Sequence, residues 1–330
     1  MTLPTPKAPP PALVAVTRST LAELLDPAGA AELPRLAARL DAVADALILG
    51  ADLVFEAGTA LEAGTATGAG HAGHAGIDPT IAAITLAHHT RRVGLVVAAV
   101  PQRDHPYNIA RRLSSLDHAS GGRVGLFIGV EDHRATAGSP WTYADPVAAA
   151  ADAVTAIRAL WRSFPIDTIV ADRESGLFAE SHRIVAIDHR GAFDVDGPLQ
   201  VPWSPQIWPP VLAWSAGAGG SALARVADVV VNPEDTRLVL HHVGSLSELR
   251  RLLSTAPELP SSPAAPVPLR ARFGLAPADP PTGGRQAFPD PAHNPDEKQK
   301  PDEKQKPDEK QKPDEEPNPD EAQKKVSHVR

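Results

Sequence analysis

The side chains able to do chemistry are few. The 330 residues hold thirteen histidines and no cysteine, which removes a thiolate nucleophile, thiolate metal centres and disulfides. His71-x-x-His74 offers two imidazoles, but in a run of Gly, Ala and Thr with no third ligand nearby. The expectation there is a flexible loop over 57–76 and no metal site. His88-His89 reads as a helix surface and His241-His242 as a loop or helix edge. His105 is different, because it ends the loop after a predicted third strand, just before Pro106. Gly217-x-Gly219-x-x-Ala222 follows a later strand, with Glu234 and Asp235 downstream, and so matches a dinucleotide fingerprint. The helix that follows is too short for that use. What remains is a Gly-rich turn whose backbone amides either cradle a phosphate or simply join strand to helix. Trp141, Trp203, Trp208 and Trp214 either line an aromatic pocket or fill the core. The sequence has no G-x-S-x-G elbow, H-E-x-x-H pair or P-loop.

The elements that must position these groups alternate. Strands are expected at Ala12–Val16, Ala46–Gly50, Gly94–Val100, Arg123–Val130, Val211–Trp214, Asp228–Asn232 and Val267–Leu275. Helices are expected at Ala30–Ala44, from Asp78-Pro79 to Arg91, from Pro106 to a stop at Gly121-Gly122, and over 145–162 and 245–254. Residues 181–200 read as a hairpin or a pair of extended arms. Strand then helix with short links means parallel strands and right-handed crossovers, closed either as an open doubly wound sheet or as a barrel.

Composition narrows the class. The chain is 42% hydrophobic but only 4% aromatic, a palette suited to buried parallel strands under Ala-rich helices. A net charge of −8 argues against non-specific nucleic-acid binding. No apolar run reaches membrane-spanning length and no secretory leader is legible at the N-terminus, so a cytoplasmic protein is expected.

The stretch His105-Pro106-Tyr107-Asn108, Ala110-Arg111-Arg112, and Ser115-Leu116-Asp117-His118-Ala119-Ser120-Gly121-Gly122-Arg123 resembles the luciferase-like flavin-dependent monooxygenases, in their nitrilotriacetate, pristinamycin and dibenzothiophene-sulfone branch. Leu160-Trp161, His189-Arg190-Gly191, Gly197-Pro198-Leu199 and Ser204-Pro205-Gln206 continue the match in order, over roughly residues 40–232. The block also has a plain structural reading. Pro106 starts a helix, Gly121-Gly122 ends it, and Asp117 pairs with an Arg one or two turns back.

The resemblance implies a TIM-type (β/α) barrel with its site at the C-terminal ends of the strands. It implies FMN, used as FMNH2 supplied by a separate flavin reductase, and oxygenation of a small organic substrate with O2. Carried over position by position, flavin contacts fall on Asp52, Gln102, Tyr143, Ser215, Ala216, Gly217 and Gly219, and His105 is the expected proton donor. Several family groups are replaced. Pro101 or Gln102 stands where a hydroxyl is expected, and Phe127-Ile128-Gly129-Val130-Glu131 stands where the family has Asn, Thr and Ser. The reading as a degenerate, non-catalytic relative therefore stays open.

Three divisions follow: a Pro-rich arm over 1–11, the barrel over 12–276, and a tail over 277–330. The tail carries Pro295–Lys300 repeated as Pro301–Lys306 and Pro307–Lys312. A proline every six residues breaks a helix, and the repeat has nothing apolar to bury, so disorder is expected. Too few residues remain after Asn232 for a full barrel. Closure is either incomplete at seven strands or borrowed from a second copy of the chain in a homodimer.

Overall fold

Apolar runs become strands where side chains on both faces are buried. The computed structural model describes residues 10–55, 76–130, 143–216, 219–232, 234–235, 237–259, 267–280 and 283–288. The chain divides into two compact units, Met1–Pro289 and Asp290–Arg330, and every described residue belongs to the first. The 57–76 loop and the repeats lie outside the described residues, Gly76 excepted.

In chain order the elements are β1 (Ala12–Val16), α1 (Arg18–Leu24), α2 (Leu33–Val43), β2 (Ala46–Leu49), α3 (Pro79–His89), β3 (Gly94–Ala99), α4 (Pro106–Ser120), β4 (Val124–Ile128), α5 (Pro146–Arg162), β5 (Val211–Trp214), α6 (Gly220–Leu223), β6 (Val229–Val231), β7 (Val239–Val243), α7 (Leu246–Thr255) and α8 (Leu269–Arg272). The strands form one parallel sheet ordered β6-β5-β4-β3-β2-β1-β7.

Alternation along the strands sorts the core into two layers. Val14, Val16, Leu47, Leu49, Leu95, Val97, Leu126 and Ile128 pack with helix residues such as Leu40, Leu86, Leu113 and Ile157. The intervening Leu13, Ala15, Ala46, Ile48, Val96, Ala98, Phe127, Leu212 and Trp214 pack with one another. The second layer is the inside of a curled sheet, and chain length requires the curl. β6 and β7 occupy opposite edges, which a flat seven-stranded sheet would hold about 29 Å apart. The link from Val231 to Val239 reaches at most about 29 Å, and it must also run back along the strand direction. The curled parallel sheet is a shortened, incomplete form of the barrel the resemblance implied, as the few residues after Asn232 led one to expect.

One expected strand is wrong. Val267–Leu275 contains the single helical turn α8, and the seventh strand is Val239–Val243, paired with β1. Leu269 explains the change, because it plugs the N-terminal mouth of the barrel. A Cβ on Gly94 would lie 2.4 Å from Leu269 Cδ1 and one on Gly125 would lie 3.2 Å from Leu269 Cδ2, so the plug packs directly against two glycines and a side chain at Gly94 would push it aside.

Helix caps place the loops at the other mouth. Asp78 accepts from the Thr80 and Ile81 N–H groups ahead of Pro79, and Asp145 accepts from Ala148 ahead of Pro146. Gly121, at φ +70°, ends α4. Arg123 is buried and donates to Thr90 Oγ1 and to the carbonyls of Ala87, Thr90, Val93 and Ser120, tying the end of α3 to β4. Residues 187–196 are extended arms closed by a His189–Val195 bridge, and residues 285–287 pair backbone to backbone with Ile184–Ala186.

Candidate functional site

His105, Tyr143 ahead of α5, and Phe193 of the 187–196 arm meet at the C-terminal end of the barrel. His105 caps α4, its Nδ1 accepting from the Tyr107 N–H at 3.2 Å. That bond leaves the proton on Nε2 in the neutral ring. Burial lowers the pKa of His105, so the imidazole is held neutral. Its ring meets Phe193 edge-on at 5.7 Å, and Tyr143 meets the same ring at 5.0 Å. Burial and, next, Asp152 raise the Tyr143 pKa, keeping the phenol protonated. Asp152 in turn receives His189 Nε2 at 3.0 Å and the Phe193 N–H at 3.2 Å. A Cβ at Gly191 would strike the Asp152 carboxylate at 2.3 Å, which accounts for the glycine in His189-Arg190-Gly191. His105 and Tyr143 are thus brought together across Phe193, on an arm the sequence reading had not connected to them.

The other expected contacts scatter. Asp52 lies in the turn after β2, where Oδ1 accepts from the Arg18 N–H and Oδ2 from Arg18 Nε, both at 2.8 Å, with each side chain only 10% exposed. It therefore locks the exit of β1 to the exit of β2. Gln102 is half-buried in the turn after β3. Ser215 donates its backbone N–H to Val231, and Ala216 is exposed. Gly217 lies outside the described residues. Gly219 has φ +90°, and a Cβ there would lie 2.6 Å from Val147; one on Gly220 would lie 2.1 Å from the Ser215 carbonyl oxygen. Both glycines allow the chain to pack closely on itself at this turn. A four-residue α6 adds little dipole to such a turn.

The sequence reading missed an aromatic group inside the upper barrel. Phe55 meets Phe127 at 5.5 Å, Trp214 at 4.7 Å and His242 at 4.7 Å, all edge-on. His242 lies within β7, not at a loop or helix edge, and its Nδ1 is buried without a hydrogen-bond partner. Burial, then neighbouring His241, lowers its pKa. Val239-Leu240-His241-His242-Val243 does not alternate apolar with polar, so no local signal marked this strand. A separate cavity of about 130 Å3 lies between the start of α3, the turn after β3 and α4, lined by Arg18, Arg103, Arg112, Asp78, Asp104 and Ile109, among others. Arg112 pairs with Asp104 and, at 3.6 Å, with Asp78.

The described residues do not fit a flavin in this conformation. Phe127, standing where the resemblance expects Asn, is fully buried with Phe55 edge-on against it, so β4 offers no polar side chain at that point. No three His, Cys, Asp or Glu groups converge as a metal site among the described residues. No described helix is long and apolar enough to cross a membrane.

Comparison with known proteins places these observations. The model of the luciferase-like monooxygenase family matches residues 52–232. A component of the pristinamycin IIA synthase of Streptomyces pristinaespiralis is 34% identical over 191 residues, which are 57% of this chain and 63% of that protein. Nitrilotriacetate monooxygenase component A of Aminobacter aminovorans is 32% identical over 167 residues, 48% of this chain and 37% of that one. The chain therefore spans less than two thirds of the length of these relatives. A solved long-chain alkane monooxygenase shares the fold with a TM-score of 0.52 at 21% identity, covering 66% of this chain and 54% of that one.

Proposed function

The chain belongs to the luciferase-like monooxygenase family, and from that premise we propose that it is the oxygenase component of a two-component system. It would use FMNH2 delivered by a separate flavin reductase to oxygenate a small organic substrate with O2, in the cytoplasm. The reading is carried by the family match, which runs through every strand from β3 to β6 and ends at the rim loops. The neutral His105 and protonated Tyr143 at that rim support it, since both are able to donate a proton at neutral pH. It also requires the Phe55 ring to leave the mouth of the barrel.

That requirement is the observation favouring a second reading, in which the barrel is a non-catalytic relative. One experiment separates them: anaerobic titration with photoreduced FMN, followed by flavin fluorescence, in wild type and in Phe55→Ala. The first reading expects saturable binding, tightened about tenfold in the variant because the ring no longer competes for the space. Absence of binding in both folded proteins would leave the non-catalytic reading. Oxygen uptake above the reductase-only rate then tests turnover.

A further inference from the structure

The opposite end of the barrel holds a concentration of cationic donors that the oxygenase reading does not use. Trp208, three residues before β5, has three guanidinium groups near its ring, those of Arg162 at 5.2 Å, Arg270 at 5.4 Å and Arg158 at 5.6 Å from the centroid. Arg158 and Arg162 come from the last turns of α5 and Arg270 from α8, beside the Leu269 plug. The four side chains therefore come from three separate segments of chain.

Among the described residues the cluster has one carboxylate in ion-pair contact. Asp228 Oδ1 lies 2.9 Å from Arg158 Nη2, while Oδ2 accepts from the Val211 N–H at 2.8 Å and lies 3.9 Å from Arg270 Nη1. Arg270 Nε and Nη2 donate to the Ala276 carbonyl, and Arg162 Nη2 donates to the Pro280 carbonyl at 3.4 Å. After those bonds, five buried nitrogens lack a hydrogen-bond partner: Arg158 Nε and Nη2, Arg162 Nε, Arg270 Nη1 and Trp208 Nε1. Arg158 Nη2 is close to Asp228 as an ion pair but is not aligned for a hydrogen bond. All five are donors. The Arg270 side chain is only 9% exposed, the setting in which an unpaired charge costs most. Arg158, at 23% exposed, keeps the cluster open to solvent.

We infer that Arg158, Arg162, Arg270 and Trp208 form a binding site for a phosphate-type oxyanion at the N-terminal end of the barrel. Three guanidiniums against one carboxylate leave two positive charges, which a phosphate dianion neutralises. Planar guanidinium forks present paired N–H groups to tetrahedral oxyanions, and the indole N–H adds a neutral donor. An acceptor-only ligand matches these donors in kind, whereas a cation or an amine matches none of them. The site lies at the far end of the strands from His105, so occupancy there is independent of the flavin question.

The experiment is calorimetric titration of the full chain with inorganic phosphate and, in a second arm, with glycerol 3-phosphate, against chloride at matched ionic strength. Saturable heat in either oxyanion arm and none with chloride is the expected result, and the arms tell a free ion from a phosphomonoester. Arg162→Gln should weaken binding about tenfold, and Trp208→Phe should weaken it less, since a neutral donor is lost but no charge and an aromatic face remains. Arg162 is half-buried with a single long hydrogen bond, so its replacement leaves the fold intact, as circular dichroism would verify. No heat above chloride in the wild type, or wild-type affinity in folded Arg162→Gln, overturns the inference.

Discussion

Gln206 donates from Nε2 to the carboxylate of Asp117 at 2.7 Å in the protein interior, across 89 positions of sequence. The same nitrogen reaches the Val124 carbonyl at 2.9 Å, and Gln206 Oε1 accepts from the Arg270 N–H at 2.8 Å. Asp117 also caps the start of β4 through the Val124 N–H at 3.0 Å. This replaces the expected pairing of Asp117 with an arginine on its own helix. The residue faces inward, and the helix-surface geometry assumed for that pair does not apply. Two motifs of the family block, Ser-Leu-Asp-His and Ser-Pro-Gln, thus meet as one structural joint.

Burial raises the Asp117 pKa above its ordinary value, with its hydrogen bonds opposing the shift. The folded state therefore holds a proton that the unfolded chain releases near pH 4, roughly the free Asp value. Stability is greatest below that pH and falls as pH rises through the raised folded pKa. Asp117→Asn keeps an acceptor for Val124 and Gln206, and urea melts between pH 4 and 7 should show it with a flatter profile than wild type. Asp117→Ala strands two buried donors and should cost about 2–4 kcal/mol at pH 7.

The Gly219 turn yields a prediction that separates packing from ligand binding. A Cβ there meets Val147 at 2.6 Å, and φ +90° disfavours any side chain. Gly219→Ala should destabilise by about 1–3 kcal/mol without any ligand present. In a Val147→Ala background the steric part should vanish and the backbone part persist. A double-mutant cycle by thermal denaturation reads the difference. Equal losses in both backgrounds would show that Val147 does not press on this turn.

The parallel strands were legible because continuous apolar runs alternate with capped helices, as at Asp78-Pro79 and Gly121-Gly122, and the choice of a barrel over an open sheet came from the resemblance. The closure of the sheet was not legible. Val267–Leu275 alternates Leu269-Arg270-Ala271-Arg272-Phe273 like a strand, but Pro268 and the Leu269 plug make it a helical turn. The polar pair His241-His242 hid β7, because an imidazole inside a barrel carries no apolar signal. His105 could be placed at the rim from its loop, and Tyr143 came from the resemblance. Their common partner, Phe193, could not be placed, since the 187–196 arm carries no periodicity that fixes where it docks. The Trp208 cluster draws on segments 46 to 112 residues apart, measured from Arg162 to Trp208 and from Arg158 to Arg270, and has no local signature.

Asp52 offers a test of stability against cofactor roles. Its carboxylate is committed to Arg18 through two 2.8 Å bonds in a nearly closed setting. Asp52→Ala removes one partner of a buried ion pair and should cost about 3–5 kcal/mol in flavin-free protein. Asp52→Asn, which still accepts from the Arg18 N–H, should recover part of that loss. Chemical denaturation of the three proteins checks the order; an unchanged midpoint for Asp52→Ala would mean the pair contributes nothing to the fold.

His105 carries both a cap and a depressed pKa, and the two can be read apart. Loss of the cap in His105→Ala should cost about 1 kcal/mol, and His105→Asn should restore most of it because an Asx side chain caps equally well. The pH profile reports the second property. Burial lowers the folded pKa, so the unfolded chain takes up a proton near pH 6.5 before the folded chain does. The stability contribution is present above that pH and is lost as pH falls toward the folded pKa. His242 is depressed for the same first reason and adds a slope of the same sign. Thermal melts from pH 7.5 down to 5.5 should therefore show wild type losing stability faster than His105→Asn, and the double variant His105→Asn/His242→Gln should be flatter still. A wild-type slope surviving intact in His105→Asn would assign the titration to other histidines and remove the desolvated, neutral imidazole from the rim.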